Sequence, residues 1–236
     1  DHEILGDSIY LPYFFVISDD KDITLKPRLF NNNGGSRKFI LQTEYRQETE
    51  NSLTIIDTSI TTGHYSDKDN KPDKDTRSHF FTNTKIDLGF ENFIQSNLEI
   101  NYEKISNDTY LKLFDFIKSP LWEKSRGTLT SKIDLDLSHE NYDFGSSLIM
   151  YESLGGKNSD RYTYVLPNYD FSKNFFLSNL DGSFYLSSSG NNTINNTNVS
   201  STTINNNLNY SSLNFYTDAG IATNYEFFFK NINSMS

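Results

Sequence analysis

The sequence predicts an all-β protein built from long antiparallel strands, because apolar and polar side chains alternate with a period of two residues. In residues 94–103 most even positions are apolar and all odd positions are polar. In residues 129–137 the odd positions are mostly apolar, and the even positions are threonine, lysine and aspartate. Runs of this kind recur along the whole chain, so the sequence predicts roughly twelve strands of about ten residues.

The other predicted strands and their connections follow in a regular order. Further period-two runs lie at 9–17, 23–30, 37–46, 52–61, 80–88, 142–152, 161–170, 175–187, 202–216 and 221–229. Short turns are predicted at 18–21, 47–51, 89–92, 139–141, 171–173 and 217–220. Longer links are predicted at 31–36, 62–78, 105–126, 154–160 and 188–200. The last link is polar and of low complexity, and we expect it to be unstructured.

Composition excludes several classes of protein. The chain has no cysteine, so it has neither a disulfide framework nor a thiolate metal site. Its net charge of −10 argues against a nucleic-acid partner, because phosphate binding requires a basic surface. Its apolar runs are far shorter than the roughly 20 residues of a transmembrane helix. Aromatic residues make up 15% of the chain, which is too many for a disordered protein.

The alternation of short and long connections is typical of bacterial outer-membrane barrels, which have tight turns at one end and long loops at the other. A soluble β-sandwich also has period-two strands, but they are shorter and its loops are less regular. We therefore expect an antiparallel transmembrane β-barrel, with the sandwich as the alternative.

The polar faces of the strands carry charges that would be costly in a packed core. They would be solvated in a barrel lumen, with the apolar face turned to lipid. The lumen-facing candidates are Lys26, Arg28, Glu44, Arg46, Glu99, Glu103, Lys132, Asp134 and Asp136. Aromatic residues near strand ends are candidates for the girdles at the membrane interfaces. They are Tyr13, Phe14, Tyr45, Tyr102, Tyr142, Tyr162 and Tyr225.

The link at 105–126 has a pattern of its own. Its apolar side chains recur at helical spacing, at Tyr110, Leu113, Phe114, Ile117 and Leu121. Pro120 marks a stop near its end. The pattern fits a short amphipathic helix across the barrel mouth or on the membrane surface. It fits equally well a loop folded over its own aromatic side chains.

No motif indicates catalysis or a metal site. The four histidines stand apart in the chain, and neither HExxH nor GxSxG is present. Residues 67–75 resemble a calcium loop, but Lys71 replaces an acidic ligand and Pro72 occupies the glycine position. We expect no catalytic residues, no enzyme activity, no cofactor and no metal.

Four motifs in the first fifth of the chain resemble the start of the barrel domain of the LptD family, the lipopolysaccharide-assembly proteins also called OstA or Imp. They are Leu11-Pro12-Tyr13, Asp22-x-Thr24 with Pro27, Gly34-Gly35 and Glu44-Tyr45-Arg46. Looser matches at 101–115, 164–171 and 220–234 extend the similarity over nearly the whole chain.

The resemblance implies that residues 1–236 are part of an outer-membrane barrel, about 11–12 strands of a 26-stranded one, starting near its second strand. The periplasmic domain and the C-terminal half of that barrel would lie outside this chain. The implied function is insertion of lipopolysaccharide into the outer leaflet of the Gram-negative outer membrane. The implied partners are lipopolysaccharide, outer-membrane lipid, an LptE-type lipoprotein in the lumen and an LptA-type periplasmic bridge through the N-terminal domain, with no nucleic acid.

The resemblance also implies a lateral gate between the first and last strands of the barrel, weakened by prolines. Pro12 matches one of these prolines, and each hydrogen bond that a proline removes is worth about 1 kcal/mol net. We expect Pro27 to lie further in, about three strands from the seam. The alternative functions are another outer-membrane channel, either a porin or a plugged receptor, and a secreted glycan-binding sandwich.

Overall fold

The computed structural model of the protein describes residues 7–31, 37–62, 76–123, 127–155, 161–177, 180–195 and 199–236. Almost all of these residues are in strands or in the turns between them. The strands are β1 (Asp7–Tyr10), β2 (Tyr13–Ser18), β3 (Lys21–Asn31), β4 (Arg37–Thr49), β5 (Ser52–Thr62), β6 (Arg77–Asp87), β7 (Gln95–Ile105), β8 (Thr128–Ser138), β9 (Tyr142–Ser153), β10 (Tyr162–Phe175), β11 (Gly182–Asn195), β12 (Ser200–Ser212), β13 (Phe215–Tyr216), β14 (Ala222–Thr223) and β15 (Glu226–Met235). One helical turn, α1, spans Tyr110–Leu113.

Thirteen of these strands form one antiparallel sheet in which neighbours in sequence are neighbours in space. The order is β1-β3-β4-β5-β6-β7-β8-β9-β10-β11-β12-β15, and β2 pairs with β3. Strands β13 and β14 form a separate small hairpin. The prediction of an all-β, antiparallel fold is therefore confirmed. Among the described residues, no helix has the length and apolar character needed to cross a membrane.

The first predicted strand, 9–17, is divided at Leu11 and Pro12 into β1 and β2. Both halves pair with β3, so together they form one interrupted edge strand. Proline has no N–H to contribute to a ladder, which is why it is found mainly on edge strands. This division explains why the sheet has 13 strands rather than the roughly twelve expected from the sequence.

Two prolines lie close together across this edge ladder. The Leu11 N–H donates to the Pro27 carbonyl at 3.3 Å, so the bonding groups of Leu11 point toward β3. Successive residues of an antiparallel strand point these groups in opposite directions, so the Pro12 nitrogen points toward the open edge. Pro27 lies in β3, directly beside the interrupted edge strand that carries Pro12, and its distance from the proposed seam stays a prediction.

The chain has two compact units. Unit 1 comprises Asp1–Ile86, Ile100–Ser131 and Glu152–Gly156. Unit 2 comprises Asp87–Glu99, Lys132–Tyr151 and Lys157–Ser236.

In unit 1 the register aligns side chains of like polarity across neighbouring strands. One row of directly opposed residues runs across β3 to β6 and consists of Lys26, Gln42, Ser59 and His79. The next row, which projects from the opposite face, includes Pro27, Leu41 and Ile60. Because side chains alternate between faces, one face of the unit is apolar, and the other carries the polar row together with Phe30, Ile40 and Phe81.

The apolar face of unit 1 is the exposed one. Its large side chains are between 41% and 64% exposed, and they are Ile9, Tyr13, Phe15, Leu29, Phe39, Ile60 and Phe80. On the polar face, Asp57, Ser59 and His79 are at most 2% exposed. This is the reverse of the arrangement in a water-soluble antiparallel sheet, whose apolar face is buried.

In unit 2 the same separation continues across β10, β11, β12 and β15. A polar row consists of Ser172, Ser187, Asn207 and Lys230. An aromatic row on the other face consists of Phe175, Phe184, Tyr210 and Phe227. Consecutive rings in this row have centroids 5.2, 4.7 and 6.3 Å apart.

The aromatic row extends along the ends of the strands where the short turns lie. Tyr142 is in ring contact with both Phe93 and Phe171, at 5.9 and 6.3 Å. Tyr225 is 5.9 Å from the ring of Tyr210. Two of the predicted girdle residues, Tyr142 and Tyr225, therefore each belong to a cluster of aromatic rings in unit 2. In unit 1, Phe14 lies opposite Thr24 on the polar face and so cannot share a girdle with Tyr13.

Two predicted connections are wrong. Residues 171–173, expected to form a turn, lie inside β10. Residues 188–195 of the link expected to be unstructured belong to β11. The Ser188 hydroxyl donates to Asn206 Oδ1 at 2.7 Å across the ladder. Hydrogen-bonding side chains thus support pairing in a segment that lacks the apolar alternation of the other strands.

Several predictions concern residues outside the described ranges. They are the mixed-charge segment 67–75, the Gly34-Gly35 motif, most of the link at 31–36 and the greater part of 154–160.

We expect Gly182→Ala to destabilise unit 2. A Cβ atom at residue 182 would lie 2.4 Å from the Ser211 carbonyl oxygen and 2.7 Å from the Tyr210 ring, so β11 would have to shift. Overpacking of this kind costs about 1–3 kcal/mol. The midpoint of urea denaturation measures the effect. Gly155→Ala is the control, because a Cβ there meets nothing within 4 Å. Equal midpoints for the two variants would contradict the close packing at Gly182.

Candidate functional site

Residues 106–123, which follow β7, lie against the polar face of unit 1, and we call them the covering loop. The loop begins with a turn in which the Tyr110 N–H donates to the Asn107 carbonyl at 2.9 Å. Helix α1 is only four residues long, and the rest of the loop is not helical. Of the two conformations considered for 105–126, the structure has the loop folded over its own aromatic side chains.

Aromatic side chains anchor the covering loop to the sheet. The rings of Trp122 and Phe81 are stacked with centroids 5.7 Å apart, and Phe116 lies 5.3 Å from Phe30. The buried apolar cluster beneath the loop consists of Phe30, Ile40, Phe81, Ile105, Tyr110, Phe114, Ile117, Leu129 and Leu154. Burial of each large apolar side chain stabilises the folded state by roughly 1.5–3 kcal/mol. The loop and the strands beneath it therefore form the hydrophobic core of unit 1 together.

A polar network lies beside this cluster. His79 Nε2 is 3.4 Å from Asp57 Oδ1, and His79 Nδ1 is 3.1 Å from Ser59 Oγ. The Tyr110 hydroxyl reaches the same place, 3.3 Å from His79 Nδ1 and in hydrogen-bond contact with Ser59. The sheet thus contacts the loop through a tyrosine whose side chain is fully buried.

Gln42 forms the second polar contact with the loop. Its Nε2 donates to Asp57 Oδ1 and Oδ2 at 3.0 and 3.1 Å, and to the Lys118 carbonyl at 2.9 Å. Asp57 is therefore held between Gln42 and His79. Because an unpartnered buried polar group costs about 1–3 kcal/mol, each member of this network depends on the others.

The network contains a serine, a histidine and a carboxylate, but its geometry is that of a docking contact. Ser59 and His79 are 2% and 1% exposed. The Ser59 hydroxyl is in contact with Tyr110, which occupies the position that a substrate would need. A hydrolytic serine must reach its substrate, so this arrangement holds the loop in place. Within the described part of the chain, no group of three or more His, Asp or Glu side chains is placed to hold a metal ion.

The structure brings together three of the predicted lumen-facing residues on the polar face of unit 1, Lys26, Glu44 and Arg46. Lys26 Nζ lies 2.6 Å from Glu44 Oε2. Arg46 Nε lies 3.7 Å from Glu44 Oε1 and 3.1 Å from Asp22 Oδ1. Arg28, on the same face as Lys26, is placed differently. Its guanidinium carbon lies 4.6 Å from the Tyr10 ring centre and 4.3 Å from that of Phe116.

Three other predicted residues meet in unit 2. Lys132 Nζ lies 3.0 Å from Glu99 Oε2 and 3.3 Å from Asp134 Oδ2. Asp136 lies two residues further along the same face of β8 and is exposed. This cluster resembles the first in having a lysine between two carboxylates.

Glu103 is placed differently from the other predicted residues. It is 2% exposed, and its carboxylate accepts the Thr130 N–H at 2.8 Å. Its role is therefore to bridge two strands of unit 1. The remaining predicted residue, Pro12, lies at the open edge of the sheet.

Sequence reasoning missed Asp57, Ser59, His79 and Tyr110. A weak signal was available, because Asp57 and Ser59 share one face of β5 while Ile56 and Ile60 lie on the other. The contact with Tyr110 gives no such signal, since it joins residues 31 apart through a loop.

The chain matches no protein-family model, and no curated protein is significantly similar to it. The two faces of the sheet and the covering loop are therefore the features from which its function has to be inferred.

We expect Tyr110→Phe to loosen the covering loop. Ser59 and His79 both contact the Tyr110 hydroxyl, and both lose this contact in the variant. Loss of a polar partner in a buried site lowers stability by about 1–3 kcal/mol. Trypsin should then cleave faster at Lys112 or Lys118, which are exposed on the loop. Tyr216→Phe is the control, since that ring is 74% exposed. Unchanged cleavage rates in the Tyr110 variant would show that the hydroxyl does not hold the loop.

Proposed function

We propose that this chain forms part of the wall of a transmembrane β-barrel in the outer membrane, and that its parent protein delivers lipopolysaccharide to the outer leaflet. The observation that carries the proposal is the exposure of the apolar face in unit 1, opposite a polar face that is covered. A membrane barrel has this arrangement, with an apolar surface toward lipid and a polar interior.

The apolar face of unit 1 exposes too much apolar surface to be stable in contact with water. Seven large apolar side chains are roughly half exposed there. At roughly 1.5–3 kcal/mol for full burial of each, their exposure to water costs on the order of 5–10 kcal/mol. That is comparable with the whole net stability of a domain, about 5–15 kcal/mol. Contact with hydrocarbon removes this cost.

The band of aromatic rings in unit 2 supports the same proposal. Phe175, Phe184 and Tyr210 contact one another across three strands, at the ends where the short turns lie. Aromatic girdles occupy this position in outer-membrane barrels, at the level of the lipid head groups. In a soluble sandwich these rings would be expected in the core instead.

The edge of the sheet supports lipopolysaccharide as the cargo. The nitrogen of Pro12 points away from β3, so a strand pairing at this edge would lack one hydrogen bond. A weakened seam is what lateral release of a lipid requires, and it agrees with the LptD-like motifs around Pro12. The proposed partners are those of that family: an LptE-type lipoprotein in the lumen and an LptA-type periplasmic bridge.

A second candidate function is that of a diffusion channel or receptor. The covering loop favours it, because a loop folded onto the polar face of unit 1 would narrow a lumen on that side. Such a channel would conduct ions through its lumen. A lumen filled by a lipoprotein would not, so conductance of the purified full-length protein separates the two.

Photo-crosslinking tests the direction of the two faces. Photoreactive residues at Glu99 and Asp134, on the predicted lumen face, should give adducts with lipopolysaccharide in the full-length protein. Leu98 and Ile133, their neighbours in β7 and β8, are the matched controls. These should give adducts mainly with bulk phospholipid. Lipopolysaccharide adducts at 98 and 133, with none at 99 or 134, would contradict the proposal.

The substitution Pro12→Ala tests the gate. It restores an N–H at the open edge, which should strengthen the seam by about 1 kcal/mol and slow lipopolysaccharide delivery. Pro27→Ala is the control, because its restored N–H points toward Leu11 inside the sheet and should affect stability more than delivery. Outer-membrane permeability to a large antibiotic and heat-modifiability on gels are the measurements. Equal, near-zero effects on permeability would remove Pro12 from the gate.

A further inference from the structure

A small cavity lies between the edge of unit 1 and the covering loop. It has a volume of about 270 Å³ and is lined by Tyr10, Lys26, Arg28, Ile40, Gln42, Phe116, Ile117 and Lys118. Three of these residues are cationic and none is acidic. The protein as a whole carries a net charge of −10, so a cationic cavity does not follow from the average composition. Its charge has to be explained by its own residues.

Arg28 is held in this cavity by aromatic rings. Its guanidinium carbon lies 4.6 Å from the ring centre of Tyr10, in β1, and 4.3 Å from that of Phe116, in the covering loop. Among the described residues, no carboxylate lies within ion-pair distance of Arg28, and its N–H groups meet no acceptor. The two rings contact the flat faces of the guanidinium group and leave its edge open. The five N–H donors of a guanidinium lie along this edge in a rigid, planar arrangement.

The two lysines of the cavity differ in availability. Lys26 is largely neutralised by Glu44, whose carboxylate is 2.6 Å from its Nζ. The backbone carbonyl of Lys118 is fixed by Gln42, but its side chain is exposed and pairs with no carboxylate among the described residues. Arg28 and Lys118 are thus the two cations that a ligand could use. One lies on the sheet and the other on the loop.

We propose that this cavity binds a phosphate group, with Arg28 as the bidentate donor and Lys118 as the second cation. Arginine forks match the geometry of phosphate oxygens, and hydrogen bonds between charged groups are about twice as strong as neutral ones. The rings reduce the ordering cost of binding, because Arg28 is already held in place. The cavity is smaller than the roughly 300–1,000 Å³ of whole-ligand sites, so it suits a head group and leaves the rest of the ligand outside.

The source of the phosphate is either free phosphate ion or the phosphorylated sugar of a glycolipid. We assign it to the glycolipid, because Tyr10 and Arg28 lie at the edge strand and its neighbour, beside the proposed seam. This assignment rests on the proposed function, whereas the phosphate site itself does not.

Binding to the full-length protein in detergent tests the proposal. The probes are inorganic phosphate, an acylated diglucosamine that carries phosphates, and the same glycolipid without them. We expect Arg28→Gln to weaken binding of both phosphate-bearing probes by about tenfold or more, and Lys118→Gln to weaken it severalfold. Lys112→Gln is the control, because that lysine is exposed on the same loop but does not line the cavity. Arg28→Lys, which keeps the charge and loses the fork, should fall between wild type and Arg28→Gln.

The outcomes separate the site from the function. If Arg28→Gln and Lys118→Gln both bind the phosphate-bearing probes with wild-type affinity, and both keep wild-type heat-modifiability, the cavity is not a phosphate site. Equal binding of the two glycolipids would also overturn it. Arg28-dependent binding of inorganic phosphate without glycolipid binding would support the site and overturn the glycolipid assignment. If positions 99 and 134 fail to crosslink lipopolysaccharide while Arg28-dependent phosphate binding persists, the site stands and the proposed function fails.

Discussion

The register of the antiparallel ladder is the constraint on which the rest of unit 1 depends. From β3 to β6 the strands pair without a shift, so Lys26, Gln42, Ser59 and His79 stand directly opposite one another. A slip of one residue in β5, for example, would move Asp57 and Ser59 to the apolar face and Ile60 to the polar face. The covering loop opposes such a slip, because Gln42 and His79 can reach Lys118 and Tyr110 only from the face that they now occupy.

The covering loop and the polar face depend on each other energetically. Asp57, Ser59 and His79 would be well solvated on an open polar face, and the loop removes them from water. Their burial is tolerable because each has a polar partner within the network, and because the aromatic rings of the loop bury apolar area beside them. The same loop supplies Phe116, which holds Arg28 in the cationic cavity. Loop docking and the geometry of that cavity are therefore coupled.

Sequence patterning was sufficient for most of the sheet and for the division of residues between faces. Strands such as β3 and β7 were predictable because apolar and polar side chains alternate along them, as expected for a strand with one apolar and one polar face. Sequence patterning failed in residues 188–195, where serine and asparagine side chains pair across the ladder and apolar residues do not alternate with polar ones. The polar network beneath the covering loop was harder to predict than the strands. The network of His79 and Tyr110 depends on how a loop folds over strands, and period-two patterns contain no information on that.

The two edges of the sheet differ in what they offer to another strand. Strand β15 presents ten exposed residues without a proline, so its outer ladder is complete and would pair strongly with any strand laid against it. The β1–β2 edge is interrupted at Pro12, whose nitrogen faces outward, and Pro27 removes a further donor from the ladder just behind it. The edge beside the cationic cavity is thus the one at which pairing is weakest. Each missing hydrogen bond lowers the free energy of separating strands at that edge by about 1 kcal/mol, so a strand paired there would be released more readily than one paired with β15.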